Sequence, residues 1–331
     1  MTYPNYRFST APMMDWTDRH CRYFFRQLTK QTLLYTEMVV ADAIIHGDRE
    51  RLLGHDVSEH PIALQLGGSD PVKLAAAAWA SMEFGYDEIN LNVGCPSDRV
   101  QSGTFGACLM RTPELVAECV SAMKAAVLVP VTVKCRIGVD DQDIEEALDR
   151  LTDDVLAAGA DAIWVHARKA WLQGLSPKEN RDIPPLNYER VYRLKQRLPN
   201  VFVGINGGIK TLDEAVMQLE AGVDGVMLGR AAYHDPSQLA DVDRRIFGAP
   251  SVQTDWAGII DAMAEYSARH IEGGGRLVHI TRHMTGLFHG LAGARRWRQI
   301  LSTDTTQRDA GPEVIQRAFA EVRLHDAVAA A

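Results

Sequence analysis

The sequence predicts a (β/α)8 barrel followed by a smaller all-helical region, and three observations carry that expectation. Eight short β-branched or apolar runs alternate with amphipathic helical stretches from the N-terminus to about residue 245. Within several of those runs, branched apolar residues alternate with polar or small ones, so one face can pack under helices while the other lines an interior. A doubly wound dinucleotide-binding sheet would carry a GxGxxG turn after its first strand, and none is present.

In order, the strand-like runs are YRFSTAPM, TLLYTEMVV, PIALQLGG, DEINLNVGC, VPVTVKCRIG, DAIWVHARK, VFVGING and DGVMLGR. Helix-like segments lie between them, among them PVKLAAAAWASMEFG, TPELVAECVSAMKAAV, IEEALDRLTDDVLAAG, YERVYRLKQRLP and TLDEAVMQLEAG. Several open on Thr, Ser or Asp caps and close on Gly. The third run sets Gln65 opposite Leu64 and Leu66. In the fourth, Asn90, Asn92 and Gly94 oppose Ile89, Leu91 and Val93. In the fifth, Thr132, Lys134 and Arg136 oppose Val131, Val133 and Cys135. In the sixth, Trp164 and His166 oppose Ile163 and Val165, and in the seventh Gly204 and Asn206 oppose Val203 and Ile205. Amide, ammonium and imidazole groups therefore gather inside, near the C-terminal strand ends where such barrels carry their active sites.

After VDRRIFGAP the strand rhythm stops and the pattern turns helical, with GIIDAMAEYSARHI, LVHITRHMTGLFHG, RRWRQILS and PEVIQRAFAEVR. The expected division is a barrel over residues 1–248 and a helical domain over 249–331. Between Asp261 and Ile300 the helical part carries Arg269, Arg276, Arg282, Arg295, Arg296 and Arg298 against Asp261, Glu265 and Glu272, so it is locally basic.

Composition bounds the function. The chain has 331 residues, of which 46% are hydrophobic and 24% charged, which excludes a disulfide-stapled peptide and a disordered chain. A net charge of −8 argues against coating nucleic acid by bulk charge and leaves room for a local basic patch. Cys21, Cys95, Cys108, Cys119 and Cys135 are odd in number, with no CxxC pair and no His-rich partner, so neither a disulfide framework nor a metal is expected. The start, MTYPNYRFSTAPMM, lacks the pattern of a signal peptide, and no later stretch is long and apolar enough to span a bilayer, so the expected location is the cytoplasm.

Candidate chemistry concentrates at the strand ends. INGGI and MLGRA close the seventh and eighth runs with glycines whose exposed amides suit a phosphate, and Arg230 adds a charged fork; as bare punctuation, Gly207 and Gly208 would simply make a tight turn. Lys134 interrupts an apolar strand, where an ammonium calls for an anionic or polar ligand; it can form a Schiff base or stabilise negative charge on a cofactor. His166 shares its interior face. Gln65, Asn90, Asn92 and Asn206 offer amides that can read a heterocycle. Cys95 follows the fourth strand at the barrel mouth, where a thiol can act as acid or nucleophile, whereas Cys21, Cys119 and Cys135 read as inert core and Cys108 as structural.

These residues fall within motifs that resemble the tRNA-dihydrouridine synthases over nearly the whole chain. The motifs are APMMDWTDRHCR, ALQLGG, NLNVGCPSDRVQSGTFGACLM, VKCRIG, VHARKAWLQGLSPKENRDIPPL, GINGGI and LGRAAY. The second and third long motifs, with HMTGLFHGLAGARRWRQIL in the tail, are similar to the A subgroup. The resemblance implies an FMN enzyme that uses NADPH to reduce the C5–C6 bond of D-loop uridines, U20 and U20a, in tRNA. It implies FMN contacts from Pro12, Met13, Met14, Gln65, Lys134, His166, Asn206, Gly207, Gly208, Leu228, Gly229 and Arg230. It further implies hydride transfer from flavin N5 to C6, with Cys95 giving the proton to C5 from the opposite face. Asn92 is then expected to hold the uracil, and Lys178, Arg181, Arg295 and Arg298 to orient the tRNA. No membrane and no obligatory protein partner is expected. The competing readings are a flavin barrel acting on a small pyrimidine, in the manner of dihydroorotate dehydrogenase; a Schiff-base lyase or aldolase; and an RNA-binding module without catalysis.

Overall fold

The computed structural model describes residues 3, 4, 6–97 and 105–324. Its centre is an eight-stranded parallel sheet: β1 (Phe8–Thr10), β2 (Leu34–Val40), β3 (Ile62–Gly67), β4 (Glu88–Val93), β5 (Val131–Arg136), β6 (Ala162–His166), β7 (Phe202–Asn206) and β8 (Gly225–Leu228). The strand order β1-β8-β7-β6-β5-β4-β3-β2 is closed by a parallel bridge between Ser9 and Leu33, which makes a (β/α)8 barrel of the predicted runs. The helical stretches form as expected, and their ends explain why. Asp70, Asp143, Asn187 and Thr211 accept backbone N–H bonds at the starts of Pro71–Ser81, Ile144–Ala157, Tyr188–Arg197 and Leu212–Glu220. Gly85, Gly159 and Gly222 adopt left-handed φ after three of the helical segments. Thr112, before Pro113–Ala126, makes no side-chain cap bond.

The predicted alternation of faces is visible in the pairing. Gln65, Asn90 and Thr132 are register partners across β3, β4 and β5 and bond one another inside the barrel. Deeper in, Trp164, Tyr35, Ala63, Leu33, Ala11 and Met227 form one buried cluster. The Trp164 ring occupies space that side chains on β7 and β8 would otherwise need: a Cβ at Gly204 would collide with it, and one at Gly225 would lie 2.8 Å from it. These two glycines are therefore what lets a tryptophan fill the barrel.

Contacts group the chain into two units, Met1–Thr17 with Thr32–Gly229, and Asp18–Gln31 with Arg230–Ala331. The first holds the eight strands. The second contains the helix Arg19–Leu28, which the chain forms between β1 and β2, and the C-terminal helices, including Trp256–Glu272 and Ala294–Thr303. The strand–helix rhythm places the division near residue 248, whereas the second unit begins at Arg230. Local bonds account for that earlier change: Tyr233 Oη lies 3.1 Å from His283 Nδ1, and Thr29 Oγ1 donates to Asp243 at 2.6 Å. Asp18 caps Arg19–Leu28 and pairs with Arg282 and with buried His283. The unit's core holds Ile280, Met284, Phe288 and Trp297, with the Trp297 indole N–H donating to Met284 O at 3.0 Å. Among the described residues, no helix is long and apolar enough to cross a membrane.

Candidate active site

The C-terminal ends of β3 to β8 bring most of the expected residues to one mouth. Asn92 Nδ2 donates to Gln65 Oε1 at 2.7 Å, while Asn92 Oδ1 accepts the backbone N–H groups of Gly94 at 3.1 Å and Cys95 at 2.9 Å. Asn92 thereby fixes the start of the segment that bears the thiol. Cys95 is partly exposed, with Sγ 3.6 Å from Ser97 Oγ. Residues 98–104 of the motif that follows lie outside the described residues. Cys21, Cys119 and Cys135 are buried, and burial pushes the thiols of Cys119 and Cys135 up to about 12. Cys108 donates to Phe105 O at 3.0 Å. Among the described residues no His, Cys, Asp and Glu side chains converge as a metal site.

Lys134, the register partner of Asn92 and Trp164, reaches Asn206 Oδ1 at 3.3 Å, and Asn206 in turn donates to Met227 O at 2.7 Å. Burial, and then the charge of Arg136, lowers the Lys134 ammonium to about 8. His166 is held well below its ordinary value by burial, and further by Arg136, Lys134, Arg168 and Arg181, so its ring is neutral. Its Nδ1 is buried and has no hydrogen-bond partner among the described residues. A neutral imidazole with a spare nitrogen, beside an ammonium holding one long bond, is a polar set awaiting a ligand that can accept from the ammonium and pair with the ring nitrogen.

The glycines after β7 and β8 complete a cradle. Gly207 has φ +114°, and a Cβ there would sit 3.0 Å from the His166 ring; Gly208 has φ +72°, and its Cβ would sit 3.1 Å from Tyr188 Oη. Tyr188 donates to Gly207 O at 2.7 Å and so holds the turn. Next to Leu228, which ends β8, a Cβ on Gly229 would face Met13 Sδ at 3.6 Å. Met13 is itself fixed by an N–H bond to Thr17 Oγ1 at 3.0 Å; Pro12 precedes it, and Met14 is exposed. Arg230 opens the short helix Arg230–His234 in the second unit. The flavin that the motifs imply fits these residues: the orphaned His166 nitrogen and the thinly bonded Lys134 each leave a group that such a ligand uses, and the positive-φ turn at Gly207 and Gly208 follows β7 at the same mouth.

Lys178 and Arg181 are exposed on the loop after β6, where Lys178 precedes and Arg181 ends a one-turn helix at Glu179–Arg181. Between them, buried Asn180 ties the loop together: its Oδ1 accepts Trp171 N–H at 2.7 Å, and its Nδ2 donates to Trp171 O at 2.8 Å and Leu175 O at 3.2 Å. Arg295 and Arg298 lie on the second unit, exposed on the Ala294–Thr303 helix whose opposite face buries Trp297, Ile300 and Leu301.

Three residues escaped the sequence reading. Arg136 shares the inward face of Lys134, but its partners are backbone carbonyls that no motif announces. Asn180 likewise acts on backbone. Glu88 sits two residues before Asn90, so strand alternation alone puts it on the inner face; its carboxylate accepts from Tyr3 and Tyr35, and from Thr132 at 2.5 Å.

A family model described as dihydrouridine synthase matches residues 9–323. A Shewanella oneidensis protein named tRNA-dihydrouridine(20/20a) synthase is 56% identical over 316 residues, covering 96% of this chain and 94% of that protein. Proteins of the same name from Salmonella typhi and Vibrio cholerae are 57% and 54% identical over 317 residues, covering 96% of this chain and 95% and 96% of theirs.

Proposed function

This chain belongs to the dihydrouridine synthase family, as a tRNA-dihydrouridine synthase of the A subgroup, and on that premise we propose that it reduces uridines 20 and 20a of the tRNA D-loop with FMN and NADPH. Family membership sets aside the Schiff-base lyase and the non-catalytic RNA module. The observation that carries the finer reading is the bonded cluster at the mouth, where Asn92 joins the Cys95 backbone to Gln65, Lys134 holds one long bond and His166 keeps a buried nitrogen without a partner among the described residues.

FMN would be held by Pro12, Met13, Met14, Gln65, Lys134, His166, Asn206, Gly207, Gly208, Leu228, Gly229 and Arg230, with the glycine turns and Arg230 at its phosphate. When bound and reduced, FMN would supply the hydride for C6 of the uracil. The protein's own work is to hold the base and move one proton. Asn92 bonds the uracil, and its grip on the Gly94 and Cys95 N–H groups keeps the thiol segment in place. Cys95 Sγ gives its proton to C5, which completes the saturated C5–C6 bond. Lys134, drawn back to full charge by an anionic ligand, balances negative charge beside it. The target base has to leave the RNA fold, and Lys178, Arg181, Arg295 and Arg298 would bind the backbone that presents it. We assign catalysis to residues 1–248, with Lys178 and Arg181 adding tRNA contacts there, and tRNA binding to the helical region 249–331, in the cytoplasm.

The test is Cys95→Ala. The variant should bind FMN and accept electrons from NADPH as the parent does, yet form no dihydrouridine in nuclease digests of tRNA read by mass spectrometry. Normal product formation would remove Cys95 from the reaction.

A further inference from the structure

Arg136 is buried and is given no bond in the scheme above, where only its charge bears on Lys134 and His166, yet its guanidinium joins two separate loops. Nε donates to Gly94 O at 2.9 Å, and Nη1 donates to Lys169 O and to Asn180 O, each at 2.9 Å. Gly94 is the residue before Cys95. Asn180 stands between Lys178 and Arg181. A planar fork with fixed donor directions can serve carbonyls on two loops at once, which a point-like ammonium does poorly.

Each loop is stiff on its own side of this bridge. Asn92 holds the Gly94 and Cys95 N–H groups, and the Asn180 side chain bonds Trp171 and Leu175, so a shift at Lys178 or Arg181 reaches the Asn180 carbonyl rather than dissipating. The electrostatics point the same way. Burial is the main influence that lowers the Arg136 guanidinium, to about 10; beyond it Cys95 favours the Arg136 charge, while Arg181 and Arg168 repel it. An anion arriving at Arg181 relieves that repulsion and lets the bridge tighten.

We propose that Arg136 is a positioning residue that couples docking of an RNA backbone on the Lys169–Arg181 loop to the placement of Cys95. The inference rests on the reading of Cys95 as the proton donor. Phosphates held by Lys178 and Arg181 fix the Asn180 carbonyl; Arg136 carries that constraint to the Gly94 carbonyl; and the thiol is brought to C5 only when RNA is seated.

The experiment uses the full-length, flavin-loaded protein with Arg136→Met and Arg136→Lys, each alone and combined with Lys178→Ala. Three quantities are read: flavin reduction by NADPH, tRNA dissociation constant, and single-turnover reoxidation at saturating tRNA. In Arg136→Met the first two should stay within about threefold while the third falls on the order of 10- to 100-fold. Lys178→Ala should slow saturated reoxidation in the parent and add nothing to Arg136→Met, since the link is already cut. Arg136→Lys keeps the charge without the fork and should fall between the two, which preserves the test if the Met variant does not fold. Parent-like reoxidation in both variants, an additive Lys178 effect, or equal losses in both half-reactions would overturn the coupling. A parent enzyme that tRNA fails to reoxidise would instead overturn the proposed function.

Discussion

Replacing Glu88 with Gln should remove a pH dependence from the stability of the barrel. Glu88 opens β4 and is fully buried; its Oε1 accepts from Tyr35 Oη and Thr132 Oγ1, each at 2.5 Å, and its Oε2 from Tyr3 Oη at 2.6 Å. Burial lifts the carboxyl from 4.5 to about 7, against the opposing pull of those three donors. Between these values the folded chain keeps a proton that the unfolded chain releases. The stability this group contributes is therefore complete below its unfolded value and is lost as pH rises through the folded one. A displacement of that size is worth about 3 kcal/mol across the window. Glu88→Gln carries no titrating proton there, so the difference in unfolding free energy between parent and variant should change by roughly that amount from about pH 4.5 to about pH 8, with the other carboxylates cancelling. Urea unfolding followed by tryptophan fluorescence measures it, with buried Trp164 as a reporter inside the same barrel. A parent-to-variant difference that stays constant with pH would refute the placement of an ionisable carboxyl at the barrel floor.

Two further outcomes are expected. Since Lys134 in the ligand-free protein is lowered to about 8, an anionic flavin that requires its charged form should bind with proton uptake above that pH. Affinity of the apoprotein for FMN, followed by flavin fluorescence quenching, should weaken about tenfold per pH unit above that point, and Lys134→Met should abolish the slope. Reversing charge with Arg295→Glu and Arg298→Glu should weaken tRNA binding and flatten its salt dependence by about one logarithmic unit of slope for each phosphate no longer neutralised, while leaving NADPH reduction of the flavin unchanged. Equal losses in binding and in flavin reduction would mean misfolding instead.

The barrel was legible because its alternation is local. Gln65, Asn90, Thr132 and Lys134 declare themselves as polar residues at every second position of apolar strands, and the pairing carries them to one interior. The glycine turn at Gly207 and Gly208 was legible for the same reason, since a backbone that needs positive φ writes itself as glycine. The helix Arg19–Leu28 was not assigned to the second unit, because it is preceded and followed by barrel strands and its attachment depends on Asp18 meeting His283 and Arg282 far along the chain. Arg136 and Asn180 escaped for a different reason. Their partners are backbone carbonyls and amides, which have no sequence identity, so nothing in the letters records which loops they join.

The interior polar chain explains how amides at the mouth keep one orientation before any ligand arrives. At the floor Glu88, once it ionises above about pH 7, only accepts, so Thr132 must then donate to it and can only accept from Asn90 Nδ2, at 2.7 Å. Asn90 Oδ1 is then left for Gln65 Nε2, at 2.8 Å, and Gln65 Oε1 for Asn92 Nδ2, at 2.7 Å. At the other end the Gly94 and Cys95 N–H groups only donate, and they require Asn92 to present its oxygen to them. An acceptor-only terminus and a donor-only terminus thus impose the same arrangement from opposite directions, and reversing any one amide would break bonds on both sides of it. Each misplaced group would be buried, where an unsatisfied donor or acceptor costs about 1–3 kcal/mol, so the reversed states are scarcely populated. The residues that face the expected flavin and uracil are therefore set by a network whose far end lies at the opposite end of the barrel strands, and the orientation of Gln65 is a property of the fold before it is a property of the site.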